Sequence, residues 1–184
     1  MRDNYNWYVL YTKTNTEARV ISDFTEAFKK RKLDFSVELF CPETEIYYRK
    51  SKGGNGSTYK KRPLFPNYVF IETDMPEKDF SKEFSDFIYK SNDIIRLLKY
   101  GTGRISIEPE ERMRFEYLFK GKRCLDRSVG IIEGDVITVT AGPLMGCEGL
   151  ISHINRHNRT ATINVEMFGG VIEAKVALEI IDKR

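Results

Sequence analysis

Disulfides have little material here: three cysteines in 184 residues, Cys41, Cys124 and Cys147, stand at wide and unpatterned intervals. An odd number without a repeating spacing excludes a disulfide framework and reads as reduced, buried or incidental thiols. Histidine is scarcer still. His153 and His157 are four apart, the interval that holds zinc on one helical face, yet they fall across a predicted strand end and turn with no cysteine or carboxylate set beside them. No metal site is expected from them. Long apolar runs are missing, since nothing approaches the roughly 20 residues that cross a bilayer. The opening Met-Arg-Asp-Asn-Tyr-Asn-Trp has neither the n-region nor the h-region of a signal peptide. A cytoplasmic protein without membrane attachment is the expectation. The loop Gly53 to Ser57 lacks the Gly-Lys-Ser/Thr ending of a P-loop, and no Gly-x-Ser-x-Gly elbow or paired Cys/His arrangement occurs. Neither an enzyme nor a cofactor is therefore expected.

Charge of one sign is also in short supply. A net charge of +3 is too mild to mark a nucleic-acid binder by itself. Its distribution says more: from Gly130 to Arg184 there are five Lys/Arg against seven Asp/Glu, and the first 129 residues hold 25 against 20. With 31% charged and 41% hydrophobic residues the composition is that of a folded chain, long enough for two small cores.

Periodicity supplies the elements. Trp7 to Thr12 is aromatic and β-branched and predicts a strand. Asn15 or Thr16 can cap a following helix whose apolar residues Val20, Ile21, Phe24, Ala27 and Phe28 recur at helical spacing and which ends in Lys29-Lys30-Arg31-Lys32. Two β-prone runs, Glu45 to Tyr48 and Thr58-Tyr59, flank a Gly/Asn/Ser loop and predict a long hairpin. Tyr68 to Thr73 predicts a strand, Glu77 to Lys90 a helix with Phe80, Phe84, Phe87 and Ile88 on one face, Ile94 to Leu98 a short strand, and Pro109 to Phe119 a third helix. Gly121 to Ser128 shows no apolar periodicity and reads as a linker. Beyond it, Val136–Val139, Gly149–Ile154, Ala161–Val165 and Val171–Val176 are short runs separated by Gly-rich turns, the pattern of a small β-barrel.

Three sets of cations stand out. Arg49, Lys50, Lys52, Lys60, Lys61 and Arg62 surround the hairpin tip with no acid from Tyr48 to Arg62, and Tyr47, Tyr48 and Tyr59 are interleaved with them. Lys120, Lys122, Arg123 and Arg127 occupy the linker, and Arg156, His157 and Arg159 one turn of the barrel. Each set can follow phosphates, with tyrosines to stack on bases, or can be a solvated face. An aromatic trio, Tyr11, Phe65 and Tyr68, reads either as core or as a semi-exposed patch, because Pro66 prevents Phe65 from extending a regular ladder.

Two stretches carry a family resemblance. Arg62-Pro63-Leu64-Phe65-Pro66-Asn67-Tyr68-Val69-Phe70, with the opening Trp7-Tyr8-Val9-Leu10-Tyr11, resembles the N-terminal (NGN) domain of the NusG family. Gly134 to Val139, Gly142-Pro143-Leu144-Met145-Gly146 and Glu148-Gly149 resemble its KOW motif. Together they span nearly the whole chain. The resemblance implies an α+β architecture: an NGN α/β sandwich over residues 1–120, a linker at 121–129, and an all-β KOW barrel over 130–184. It also implies a monomeric transcription elongation factor that docks on the clamp coiled coil of RNA polymerase through Tyr11, Phe65 and Tyr68. Phe168, beside Gly169-Gly170, takes the place of an aromatic turn that contacts a small-subunit ribosomal protein or a termination factor. Asn67 stands where housekeeping members typically carry Gly, whereas specialised paralogues such as RfaH show the Leu-Phe-Pro-Asn-Tyr form. A specialised, RfaH-like or LoaP-like antiterminator acting through a structured leader RNA is the implication. The second class of reading is a stand-alone RNA-binding KOW protein that acts on ribosomal or leader RNA without polymerase.

Overall fold

The computed structural model describes residues 5–49 and 57–183. It divides into two compact units, Met1–Cys41 with Phe65–Arg112, and Pro42–Leu64 with Met113–Arg184. The chain is a mixed α+β protein, as the sequence pattern predicts.

In the first unit, β1 (Asn6–Thr12), β2 (Val37–Phe40), β5 (Tyr68–Thr73) and β6 (Ile94–Leu97) form a four-stranded sheet in the order β2-β5-β1-β6. All its pairings are antiparallel. Alternation along β1 sends Tyr8 and Leu10 into a core completed by Val69 and Ile71 of β5 and by two helices, α1 (Glu17–Arg31) and α2 (Glu77–Lys90). Val20, Phe24 and Phe28 of α1 and Phe80, Phe84 and Ile88 of α2 lie at helical spacing and enter this core. Their rings stack directly, Phe24 on Phe84 at 4.5 Å and Tyr8 on Phe80 at 3.9 Å between centroids. The buried Tyr8 hydroxyl donates to the Met75 carbonyl at 2.8 Å. Trp7 faces the other way and meets Phe40 and Phe70 edge-on at 5.5 and 6.0 Å. Both faces of the sheet are thus apolar, which is why β1 and β5 read as nearly continuous hydrophobic runs.

The helix ends differ in part from expectation. Thr16 is the N-cap residue of α1, but its hydroxyl donates to the Lys13 carbonyl at 2.7 Å and caps no amide. Asn15 sits at φ 61, in the left-handed region that leads the chain into the helix. At the other end Lys29, Lys30 and Arg31 occupy the last turn, where the helix dipole favours cations.

The second unit contains a five-stranded sheet in the order β10-β11-β12-β8-β9, made by β8 (Ser128–Glu133), β9 (Val136–Ala141), β10 (Ile151–Asn155), β11 (Thr160–Met167) and β12 (Gly170–Lys183). β12 runs parallel to β8, and the other neighbours are antiparallel. Ala161, Ile163, Val165 and Met167 alternate inward along β11, with Ala161 opposite Val176 and Ile163 opposite Ala174 of β12, both also buried. A second sheet of three strands, in the order β4-β3-β7, holds the predicted hairpin: β3 (Glu43–Arg49), β4 (Ser57–Pro63) and β7 (Cys124–Leu125). The Leu64 amide donates to the Pro42 carbonyl at 2.7 Å and closes the neck of the hairpin. Within 121–129, then, the backbone is in part strand: β7 pairs in parallel with Glu43 and Thr44, and β8 begins at Ser128. α3 (Pro109–Phe119) precedes this stretch.

Gly142 has a local reason. At φ 98 it lies in the left-handed region, and a Cβ there would come within 2.6 Å of the Ser128 backbone. Gly149, by contrast, is not a point of close approach, because a Cβ on it would meet nothing within 4 Å. Among the described residues no helix is long and apolar enough to cross a membrane.

Candidate functional site

Strand register builds the first surface. Tyr68 of β5 pairs with Tyr11 of β1, and Tyr11 pairs with Arg96 of β6, so three side chains form a row across the sheet. Both tyrosines are half-buried and Arg96 is exposed. The phenol rings lie 5.1 Å apart and tilted, and the Arg96 guanidinium sits over the Tyr11 ring at 5.7 Å. Burial pushes the Tyr68 phenol pKa up, with Tyr11 adding to the shift and Arg96 opposing it. The turn before Tyr68 is held by Asn67 at φ 72, whose amide donates to Glu17 Oε1 at 2.8 Å and whose carbonyl accepts from the Thr12 amide at 2.8 Å. Asparagine tolerates this left-handed position where most residues with a Cβ are strained.

Phe65 is not part of a semi-exposed patch with the tyrosines. It is 1% exposed and packs against Phe70 at 6.2 Å, on the Trp7–Phe40–Phe70 side of the unit. The turn at Leu64–Asn67 reverses the chain, and with Pro66 facing solvent the large apolar ring is taken inward. Arg96 is the residue that the sequence reading missed. Its signal is a single cation inside the apolar Ile94–Leu97 run, but register with Tyr11 is a non-local fact.

One member of each of two cationic sets meets the hairpin tyrosines within the second unit. Glu179 receives Arg159 Nη1 on Oε1 at 2.8 Å and Arg127 Nη1 on Oε2 at 3.2 Å. The Arg159 guanidinium lies over the Tyr47 ring at 4.5 Å and that of Arg127 over the Tyr59 ring at 5.2 Å. Tyr47 and Tyr59 are paired across the hairpin, with ring centroids 5.6 Å apart. One cation from the barrel turn, one from the 121–129 stretch and two hairpin tyrosines therefore meet around one carboxylate. Glu179 was outside the predicted strands, because the apolar alternation that marks β12 weakens after Val176.

The other cations are dispersed among different tasks. Lys120 Nζ donates to the Gly142 carbonyl at 3.2 Å, and Lys122 pairs with Asp126. Lys60 is exposed and lies over Tyr48 at 5.6 Å, Lys61 is exposed, and Arg62 and Arg123 are half-buried. Arg156 and His157 are exposed in the turn that precedes Arg159. Lys50 and Lys52 lie outside the described residues, as does the side chain of Arg49. Phe168 is half-buried at φ 53 and with Gly169 at φ 71 makes the two-residue turn between β11 and β12. In the KOW-like segment the Glu148 carboxylate accepts from the Val139 amide at 3.2 Å. Its pKa is held down first by its own backbone amide, with the amides of Val139 and Gly146 acting in the same sense. Among the described residues no group of three or more His, Cys, Asp or Glu could hold a metal ion.

Comparison with known proteins gives the family of the chain. A family profile described as "Transcription termination factor nusG" matches residues 5–116. The chain is similar to the transcription termination/antitermination protein NusG of Thermus thermophilus, at 23% identity over 166 residues that cover 89% of this chain and 90% of that one. It is likewise similar to NusG of Borreliella burgdorferi, at 25% identity over 187 residues covering 96% and 97%. Among solved structures, one described as "Domain interaction in Thermotoga maritima NusG" shares the fold with a TM-score of 0.55 at 18% identity, covering 96% of this chain and 94% of the other.

Proposed function

Since the chain belongs to the NusG family of transcription termination/antitermination factors, which are not enzymes, we propose that it rides on RNA polymerase and promotes processive antitermination. On this reading residues 1–120 act as the polymerase-binding domain, 121–129 as the connection, and 130–184 as the partner-recruiting KOW domain, in the cytoplasm and as a monomer. The observation that carries the reading is the Tyr68–Tyr11–Arg96 row. Tyrosine and arginine are the residue types that concentrate binding energy in protein interfaces, and here strand register aligns them on one surface. Tyr11 and Tyr68 make the clamp contact, and Phe65 holds the Leu64–Asn67 turn from within the core.

The mechanism is mechanical. A factor bound across the cleft favours the closed, pause-resistant polymerase only by its differential affinity for that state, and about 1.4 kcal/mol changes a population ratio tenfold. Direction to particular operons comes from a structured leader RNA read by the exposed cations Arg156, His157, Lys60 and Lys61. Phe168 offers an aromatic contact to a small-subunit ribosomal protein or a termination factor. Capture of core polymerase by the full chain, followed by single-round transcription through a terminator, tests the proposal. Retained polymerase and increased read-through are expected. RNA binding without polymerase retention would replace it with the stand-alone RNA-binding reading.

A further inference from the structure

We propose that Glu179 is a built-in competitor for RNA: its carboxylate occupies, between Arg127 and Arg159, the seat that a backbone phosphate would take. The proposal rests on the reading of this chain as an RNA binder and adds a residue that restrains the binding. Its basis is the geometry of the cluster. The two guanidiniums take different oxygens of the one carboxylate, at 2.8 and 3.2 Å, as two arginines take two oxygens of a phosphate. Each guanidinium also lies over a tyrosine ring, Tyr47 at 4.5 Å and Tyr59 at 5.2 Å. Those aromatic faces are the ones on which an unpaired base would stack.

Both guanidiniums and one face of each tyrosine ring are consequently engaged within the protein. Arg127 and Arg159 remain 45% and 39% exposed in their side chains, against 22% for Glu179, so the cations are reachable while the carboxylate is the more enclosed partner. A second acid, Glu45, accepts from the Arg127 amide at 3.3 Å and adds to the negative field at the same place. Exposed Arg156 and His157, three and two positions before Arg159, would meet an incoming strand first. A phosphate then displaces Glu179 from the arginines, and a guanidinium that shifts to follow the phosphate uncovers its tyrosine ring for a base. Specificity follows from this order. Diffuse polyanions gain only the outer cations, whereas an RNA that presents a phosphate and an unstacked base at the right separation gains the whole cluster.

Glu179→Gln tests the idea in the full chain, because the amide keeps the size of the side chain and removes its charge. The probe is a fluorescent RNA hairpin of mixed sequence with an unpaired loop, titrated over a salt series, with circular dichroism and thermal melts beside it. The variant is expected to keep the fold and to bind roughly three- to tenfold tighter than the parent, the scale of two partly exposed ion pairs. Its affinity should also fall more steeply with salt, since more cations are free to displace counterions. Adding Arg127→Ala and Arg159→Ala to Glu179→Gln should abolish the gain. Equal or weaker binding by folded Glu179→Gln, with the parent binding, overturns the competitor role and leaves RNA binding standing. No binding by either protein overturns RNA binding and this inference together.

Discussion

At the scale of single residues, the aromatic trio separates into two chemistries that sequence cannot distinguish. Phe65 is buried to 1% exposure against Phe70, so Phe65→Ala should act through the core and cost about 3 kcal/mol or more, the usual effect of deleting a buried ring. Thermal melts would check it. Tyr11 and Tyr68 are half-buried and Arg96 is exposed, so alanine at any of the three should leave the melting temperature close to the parent and weaken polymerase capture about tenfold or more, as loss of an interface anchor does. If Tyr68→Ala unfolds the protein, or leaves polymerase capture unchanged, the docking row is wrong. The identities of Tyr11 and Tyr68 were legible in the sequence because the motif around them is. Arg96 was not, because its meaning comes from facing Tyr11 in register across some 85 residues of chain.

At the scale of elements, the KOW-like turn makes a testable electrostatic statement. The Glu148 pKa is lowered from its ordinary value of 4.5, first by its own amide and also by the amides of Val139 and Gly146, against an opposing effect of burial. A carboxylate whose folded pKa lies below its unfolded one stabilises the fold fully above the unfolded value, and that contribution is lost as pH falls through the folded value. The parent should therefore lose more melting temperature between neutral pH and the region below pH 4.5 than Glu148→Gln does, while the variant should be the less stable of the two at neutral pH. Parallel losses in both proteins would remove Glu148 from the account. Elements with a strong local period, such as α1, α2, β1 and β5, were legible because the residues that define them are close in sequence and face one core. Thr16 takes the expected N-cap position of α1, but the side-chain cap expected there is not made, since its hydroxyl turns back to the Lys13 carbonyl. β2, β7 and β8 were also missed. β7 is two residues long and exists only because it lies beside β3, and β8 has Gly130 interrupting its alternation and a parallel partner about fifty residues away. Sequence periodicity carries no information about such pairings.

At the scale of the whole molecule, the question is whether residues 128–183 hold one fold. The alternative to strands for this segment is a helical hairpin, and local sequence decides between the two. Here local and non-local preferences agree. β11 alternates strictly from Ala161 to Met167, its β-branched residues fit a pleated surface, and the Phe168-Gly169 turn has the two left-handed residues that a tight hairpin demands. Gly142 keeps a backbone approach to Ser128 that any Cβ would block, which fixes the turn after β9 against the start of β8. Agreement between pattern, turn chemistry and close packing is what gives one state a gap over its competitors. The β11–β12 pairing should therefore persist in the free, full-length protein. Backbone chemical shifts of Thr160–Met167 and Gly170–Lys175 should be those of strands, and the amides that bridge β11 and β12 should exchange slowly with solvent. Gly142→Ala should strain that turn and lower the melting temperature without producing helix. Helical shifts across Ala161–Val176 in the intact chain would mean that another arrangement outcompetes these strands, and would overturn the single-fold reading.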